Sequence, residues 1–342
     1  MYARLISDND DEQGLAQPTR REALQASGSA GNPSSPQLPT DDVGPNPKAP
    51  YLRGFTICTG LVHLGSGVAT LILRQDKKVP LFEPWLAWPS AAERSDPLTN
   101  KFITGNKYAG SISFEGLVAS FFFLSATFQV LPALWDVSWH WLINLLFERN
   151  VQPIRWVEYS ASASVMFLMF FLLNGGQNLP LLICVFALSF VMMILGLVSE
   201  ASAYFQRTIE YLSNGKQKRQ PLDYFLPHIL GWVPFGILWG LIFRAFVLGT
   251  NHGRPGVSND YAKPPWWVYA VFSGQVGLMA LFGANQLWQQ YSLYTVNVAD
   301  FTKQARIALR TEYIYVALSL TAKSMLAWVL YFGMRSQGDT AY

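Results

Sequence analysis

Lys323 stands in the middle of an apolar run, "LSLTAKSMLAW", with "YIYVA" before it and "VLYFG" after. An ammonium at the centre of a membrane-spanning helix costs about 2.5–3.5 kcal/mol on insertion scales. Such a group is kept as a structural ion pair, as part of an ion or substrate path, or as a covalent attachment point. Snorkelling is a poor account, because Lys323 is far from both ends of its run. Desolvation favours the neutral amine, a nucleophile that condenses with an aldehyde to a Schiff base. For that base to stay protonated in a dry site, a carboxylate must sit beside it.

Glu158, in "RWVEYSASASVM", is the best candidate. It belongs to an apolar segment that enters the membrane from the same side as the lysine's segment. Lys323 is ten residues past Tyr313, so its Cα is about 15 Å deep by helical rise. Helical side chains lean toward the N-terminus, which brings the amine back to about 9 Å. Glu158 is five residues past Pro153, or about 7.5 Å deep. The two charges can therefore share a level. Ser319, four residues before Lys323, and Ser162, four after Glu158, share the respective helix faces. Two plainer readings compete: Glu158 as an interfacial partner of Arg155, three residues away, and the serines as small residues at helix contacts.

The elements that must hold this pair are membrane helices. The chain is 51% hydrophobic and 14% charged, against about a quarter charged in soluble domains. Seven apolar segments stand out, near 52–73, 112–135, 154–174, 179–203, 226–248, 266–290 and 309–333. Each can cross about 30 Å of hydrocarbon, and isolated segments in lipid must satisfy their own backbone as helices. The composition predicts a multi-pass protein of the lipid bilayer. It carries no basic block for nucleic acid and no metal-ligand spacing at Cys58 and Cys184, which read as small apolar helix residues. Lys and Arg near segment ends number 11 on the side of the N-terminus and 9 on the other, which favours a cytoplasmic N-terminus and an outer or lumenal C-terminus. Residues 1–50, rich in Ser, Pro, Gly and Asp and without a signal-peptide core, read as a disordered tail. Residues 51–335 form the membrane domain and 336–342 a short C-terminal tail. The long connection between the first two segments, with aromatic residues between prolines, reads as an ordered cap.

"EYIYVALSLTAKSMLAW" and "RWVEYSASASVM", with "ANQLWQQY" and "GLVHL", resemble heliorhodopsins, an inverted-topology branch of the retinal-binding seven-helix rhodopsins. The resemblance spans about residues 50–333 and implies an all-α bundle of rhodopsin type. It implies all-trans retinal on Lys323 as a protonated Schiff base, Glu158 as counterion, and Ser319 and Ser125 as hydrogen-bonding neighbours. His63 matches a histidine of a polar cavity; taken alone, a single histidine on an apolar helix is a satisfied structural residue. A homodimer with a cytoplasmic N-terminus is implied as well. The chain departs from the pattern at Gln129, where many relatives have a histidine, and at Phe235, where a tryptophan often follows the proline.

The function this implies is a light sensor, not an enzyme, working through an unidentified cytoplasmic partner. Met166, Trp239, Phe272 and Phe282 are candidate pocket residues by bulk and segment alone, and lipid-facing or helix-packing roles compete. Glu200, at the end of the fourth segment, is a candidate for a proton path, against a plainer solvated helix-end carboxylate. Glu115 and Glu312 have the same plain explanation. Light-driven proton transport and a retinal-free transporter using the Lys323/Glu158 pair are the alternatives.

Overall fold

The computed structural model describes residues 49–73, 78–87, 103–251 and 266–338. The tail expected over residues 1–50 lies outside them up to residue 48. Helix α1 (Ala49–Ile72) leads to a β-hairpin, β1 (Lys78–Ala87) and β2 (Ile103–Ser113), then α2 (Phe114–Leu134) and the short α3 (Asp136–Asn144), which ends in a π-helical turn over Leu145–Arg149. Four long helices follow: α4 (Pro153–Leu173), α5 (Leu179–Leu212), α6 (Pro221–Asn251) and α7 (Trp266–Thr295). The last, α8 (Phe301–Gly338), is 38 residues long.

Local chemistry sets the boundaries. Ser113 caps α2 by accepting from the Gly116 N–H at 3.1 Å, and Asn178 caps α5 through the Leu181 N–H at 3.0 Å. Pro153 opens α4 where its missing N–H is not needed. The turn out of α4 uses Gly175 at φ 85°, a left-handed backbone that favours glycine.

Among the described residues, α1, α2, α4, α5, α6 and α7 are long and apolar enough to cross a membrane. α8 packs along α7 but interrupts its apolar run with Ser319, Thr321, Lys323 and Ser324. Successive long helices are antiparallel, so each has one end at the β-hairpin and one at the far end. α4 is enclosed by α2 and α5. The hairpin half of the core is filled by Phe121, Phe122, Phe167, Phe170, Trp239 and Leu326. A second cluster at the far end joins Leu52, Trp139, Phe147 and Leu309. Cys58 and Cys184 are free and exposed on α1 and α5, on helices whose outer faces also expose Leu61, Ile183 and Phe190.

Several boundaries differ from the sequence reading. α5 continues to Leu212 rather than 203, because the amphipathic stretch after Ser199 stays helical once its apolar content falls. α8 begins at Phe301 rather than 309 and runs to Gly338, through the start of the C-terminal tail expected from 336. α3 went unread; it is pinned by Arg53, whose Nε donates to Ala133 O at 2.7 Å and whose Nη2 meets Asp136 at 2.6 Å. The described part of the first connection is the hairpin, paired from Lys78↔Ser113 to Ala87↔Ile103. The Phe82 N–H bonds Gln177 O at 2.9 Å, tying the hairpin to the α4–α5 turn.

Candidate functional site

The Lys323 Nζ lies 2.6 Å from Glu158 Oε1, joining α8 to α4. Ser125 of α2 hydrogen-bonds the same nitrogen from another side. Lys323 and Glu158 are 3% and 4% exposed, so the pair is removed from solvent and its attraction is weakly screened. The Tyr159 ring centroid is 5.5 Å from Nζ, within cation–π range. Glu158 and Lys323 do share a level. Arg155, the competing partner for Glu158, turns away to other carboxylates.

Beside the amine a cavity of about 290 Å³, its mouth included, lies between α4, α5, α7 and α8. Ser162 and Met166 line it from α4, Phe282 from α7, and Ser319 from α8. Through Tyr159, Met193, Met279 and Phe282 it borders a larger chamber of about 590 Å³, its mouth included, reaching α6 at Phe235. Trp239 and Phe272 stand apart from this wall. They pack with each other at 5.9 Å between ring centroids and with Phe170 at 5.5 and 5.7 Å, toward the hairpin end. Phe235 links the two groups, 6.3 Å from Trp239. The lining suits an apolar molecule with one aldehyde end: an amine beside methionines and aromatic rings. Ser162 Oγ and Trp239 Nε1 are buried without a hydrogen-bond partner among the described residues, which leaves polar atoms beside the cavity and its adjoining ring cluster.

A polar region lies toward the far end. His63, fully buried, meets Gln129 Oε1 at 3.2 Å through Nδ1. A cavity touches Gln129, Gln152, Arg155, Glu158 and Glu312 together. Arg155 pairs with both Glu200 and Glu312, and its guanidinium lies over the Tyr315 ring at 3.9 Å. Glu200 also accepts from the Gln152 N–H at 3.1 Å. The expectation of solvated helix-end carboxylates therefore fails: Glu200 is 2% and Glu312 6% exposed. The apolar runs stop near both residues, whereas α5 and α8 continue as helix for several turns beyond. Glu115 is buried too, in the first turn of α2, where a helix N-terminus favours negative charge.

Sequence reading missed Tyr159, Tyr315 and the α6 group. Trp232 donates to His228 Nε2 at 3.1 Å, so Nδ1 carries the hydrogen toward Gln286 Oε1 at 3.3 Å. Gln286 in turn donates to Gly196 O at 2.7 Å. The amide-rich "ANQLWQQY" was a visible signal for such a network, since buried amides need partners. Gly196 is also where the Trp156 indole meets the α5 backbone, with no room for a Cβ. Gly196→Ala is expected to cost about 1–3 kcal/mol by overpacking, read as a lower unfolding midpoint in detergent; wild-type stability would show that Trp156 moves aside freely.

Helices crossing a membrane around a buried amine–carboxylate pair, with an apolar ring-lined cavity leading from the amine, define the rhodopsin class. The model of the family described as Heliorhodopsin matches residues 52–334, and the chain belongs to the heliorhodopsin family. It is thus a multi-pass integral membrane protein of the seven-helix rhodopsin fold, with α8 as the seventh helix, and a retinal-binding rhodopsin of photoreceptor type. A search of curated proteins returned no match.

Proposed function

We propose that the protein is a light sensor that carries all-trans retinal on Lys323 as a protonated Schiff base, with Glu158 as counterion. The observation that carries this reading is the 2.6 Å contact between two buried, opposite charges, with the Lys323 side lining an apolar cavity. Retinal, when bound, supplies absorption and isomerisation. The chain's own residues do the rest. Glu158 holds the proton on the Lys323 nitrogen by charge, and Ser125 holds the nitrogen in place. Ser162 and Ser319 offer hydroxyls along the first part of the cavity, and Met166 and Phe282 confine what lies in it. Phe235 lines the outer chamber, while Trp239 and Phe272 stiffen the adjoining core from behind. When light displaces the Lys323 N–H from Glu158 and Ser125, its proton moves into the polar region of His63, Gln129 and Glu200.

Sensing is favoured over net proton transport by the distribution of buried charge. Arg155, Glu200, Arg207, His228 and Glu312 all lie between Lys323 and the far end. Toward the hairpin, Glu115 at the very end is the one charged side chain buried among the described residues; the other buried polar groups on that side are neutral, among them Ser66, Thr70 and Gln275, whose amide donates to Ala322 O at 2.9 Å. A path that crossed the bilayer would need carriers on both sides. Sustained photocurrent under voltage clamp in expressing cells would favour transport instead. The positive-charge count supports a cytoplasmic N-terminus and an outer C-terminus, and the family resemblance supports a homodimer and a cytoplasmic signalling partner.

Reconstitution with all-trans retinal tests the reading: a visible band is expected, and its absence favours a retinal-free transporter built on the same ion pair. Glu158→Gln is expected to move that band to longer wavelength and to shift its bleaching on alkalinisation to lower pH, because the cation loses its stabilising charge. An unchanged spectrum would assign the counterion role to another group.

A further inference from the structure

Two buried carboxylates share one guanidinium on the far side of the Lys323–Glu158 pair. Arg155, on α4, contacts Glu200 of α5 through Nη2 and Glu312 of α8 through Nη1. Arg207, a second buried cation on α5, is satisfied by neutral groups: Ala203 O, Gln304 Oε1 and Arg149 O at 2.9–3.1 Å. The contact group is therefore one cation against two anions. Two carboxylates held together bind one proton as a pair, since a single proton removes their repulsion.

The group is also connected to the amine. Arg155 is three residues from Glu158 on one face of α4, and Glu312 and Lys323 share α8. One cavity, of about 520 Å³ with its mouth, touches Glu158, Arg155 and Glu312 at once. On its wall, Gln152 Oε1 and Arg155 Nε are buried without a hydrogen-bond partner among the described residues, as are Trp156 Nε1 and Tyr315 Oη on the same two helices, α4 and α8. Buried polar atoms of this kind are normally satisfied by internal water, which also conducts protons. Tyr159 bridges the two regions, donating to Tyr315 O at 3.2 Å.

We propose that Glu200, Arg155 and Glu312 form a proton store for the photocycle, taking up the proton that leaves the Lys323 nitrogen and later returning it. The inference rests on the sensor reading above. In the forward step the N–H bond at Lys323 breaks and its electron pair stays on nitrogen. An O–H bond forms at a carboxylate oxygen of Glu200 or Glu312, and Arg155 remains charged throughout. The store then holds one cation and one anion, a balanced pair; the return step reverses these changes, and no other reactant is consumed.

Infrared difference spectroscopy on the full chain tests this in two states. In the retinal-free protein, acidification is expected to produce a carboxylic-acid C=O band that Glu200→Gln and Glu312→Gln each remove and Glu312→Asp retains at a shifted frequency. In the retinal-bound protein, the same band is expected to rise as the Lys323 nitrogen loses its proton in the light, and either glutamine variant is expected to slow that loss about tenfold. Uniform labelling of glutamate with carbon-13 must shift the band in the unmutated chain, so the result does not depend on a variant folding. A light-induced carboxylic-acid band that persists in both glutamine variants, or that belongs to Glu158 alone, overturns the store. Failure to form any pigment overturns the sensor reading instead, and the retinal-free titration still reports on the store.

Discussion

Lys323→Ala abolishes the visible absorption band on addition of all-trans retinal. The loss is expected to be complete, because condensation needs an amine in the cavity and Lys323 is the one that lines it. The variant also leaves Glu158 buried without its cation, and breaking a buried ion pair costs about 3–5 kcal/mol. A missing band could then reflect misfolding. Lys323→Ala combined with Glu158→Gln removes that ambiguity by neutralising both partners. The double variant is expected to fold with near-wild-type stability and still form no pigment. Reduction with borohydride in the light should likewise fix a retinyl adduct on Lys323 in the unmutated chain. A visible band in the double variant, or an adduct at another lysine, would end the assignment of the attachment site.

Arg155→Met has the second largest expected effect, on stability rather than colour. It leaves Glu200 and Glu312 facing each other in the core, 2% and 6% exposed, with no cation in contact. A loss of about 3–5 kcal/mol is expected for a buried pair broken on one side. Charge removal on all three members should behave differently. Arg155→Met with Glu200→Gln and Glu312→Gln is expected to recover most of the loss, since buried ionic triads are often replaceable by neutral groups of similar size. Denaturant midpoints of the single and triple variants in the same detergent give the comparison. Equal destabilisation in both would mean that packing of Arg155 on the Tyr315 ring, 3.9 Å away, outweighs its charge.

How much of this was legible in the sequence depends on the direction of the contact. Depth along a helix is written in residue spacing, so Lys323 and Glu158 could be set at one level from rise alone. The apolar runs located all seven long helices for the same reason. Which faces meet across helices is not written there. Spacing along one helix offers Arg155 as a partner for Glu158, three residues away; its actual partners lie 45 and 157 residues away in sequence. Hydropathy falls near Glu200 and Glu312, which suggests solvation, yet a helix in a bundle can bury polar residues where neighbouring helices supply the opposite charge. The pocket residues split along the same line. Met166 and Phe282 line the cavity, whereas Trp239 and Phe272 are as bulky and equally within apolar segments but pack into the core beside it. The hairpin escaped because its strands, "KVPLFEPWLA" and "ITGNKYAGSIS", carry prolines and glycines that blur alternation.

The two thiols on the outer surface have a practical outcome. The chain contains two cysteines in all, and both are exposed. A membrane-permeant label therefore reaches α1 and α5 without any engineered attachment point and without disturbing the buried charges. Spin labels on Cys58 and Cys184 turn the unmodified protein into a ruler: dipolar couplings within one copy would report displacement between those two helices on illumination, and couplings between copies would report how neighbours associate in the bilayer.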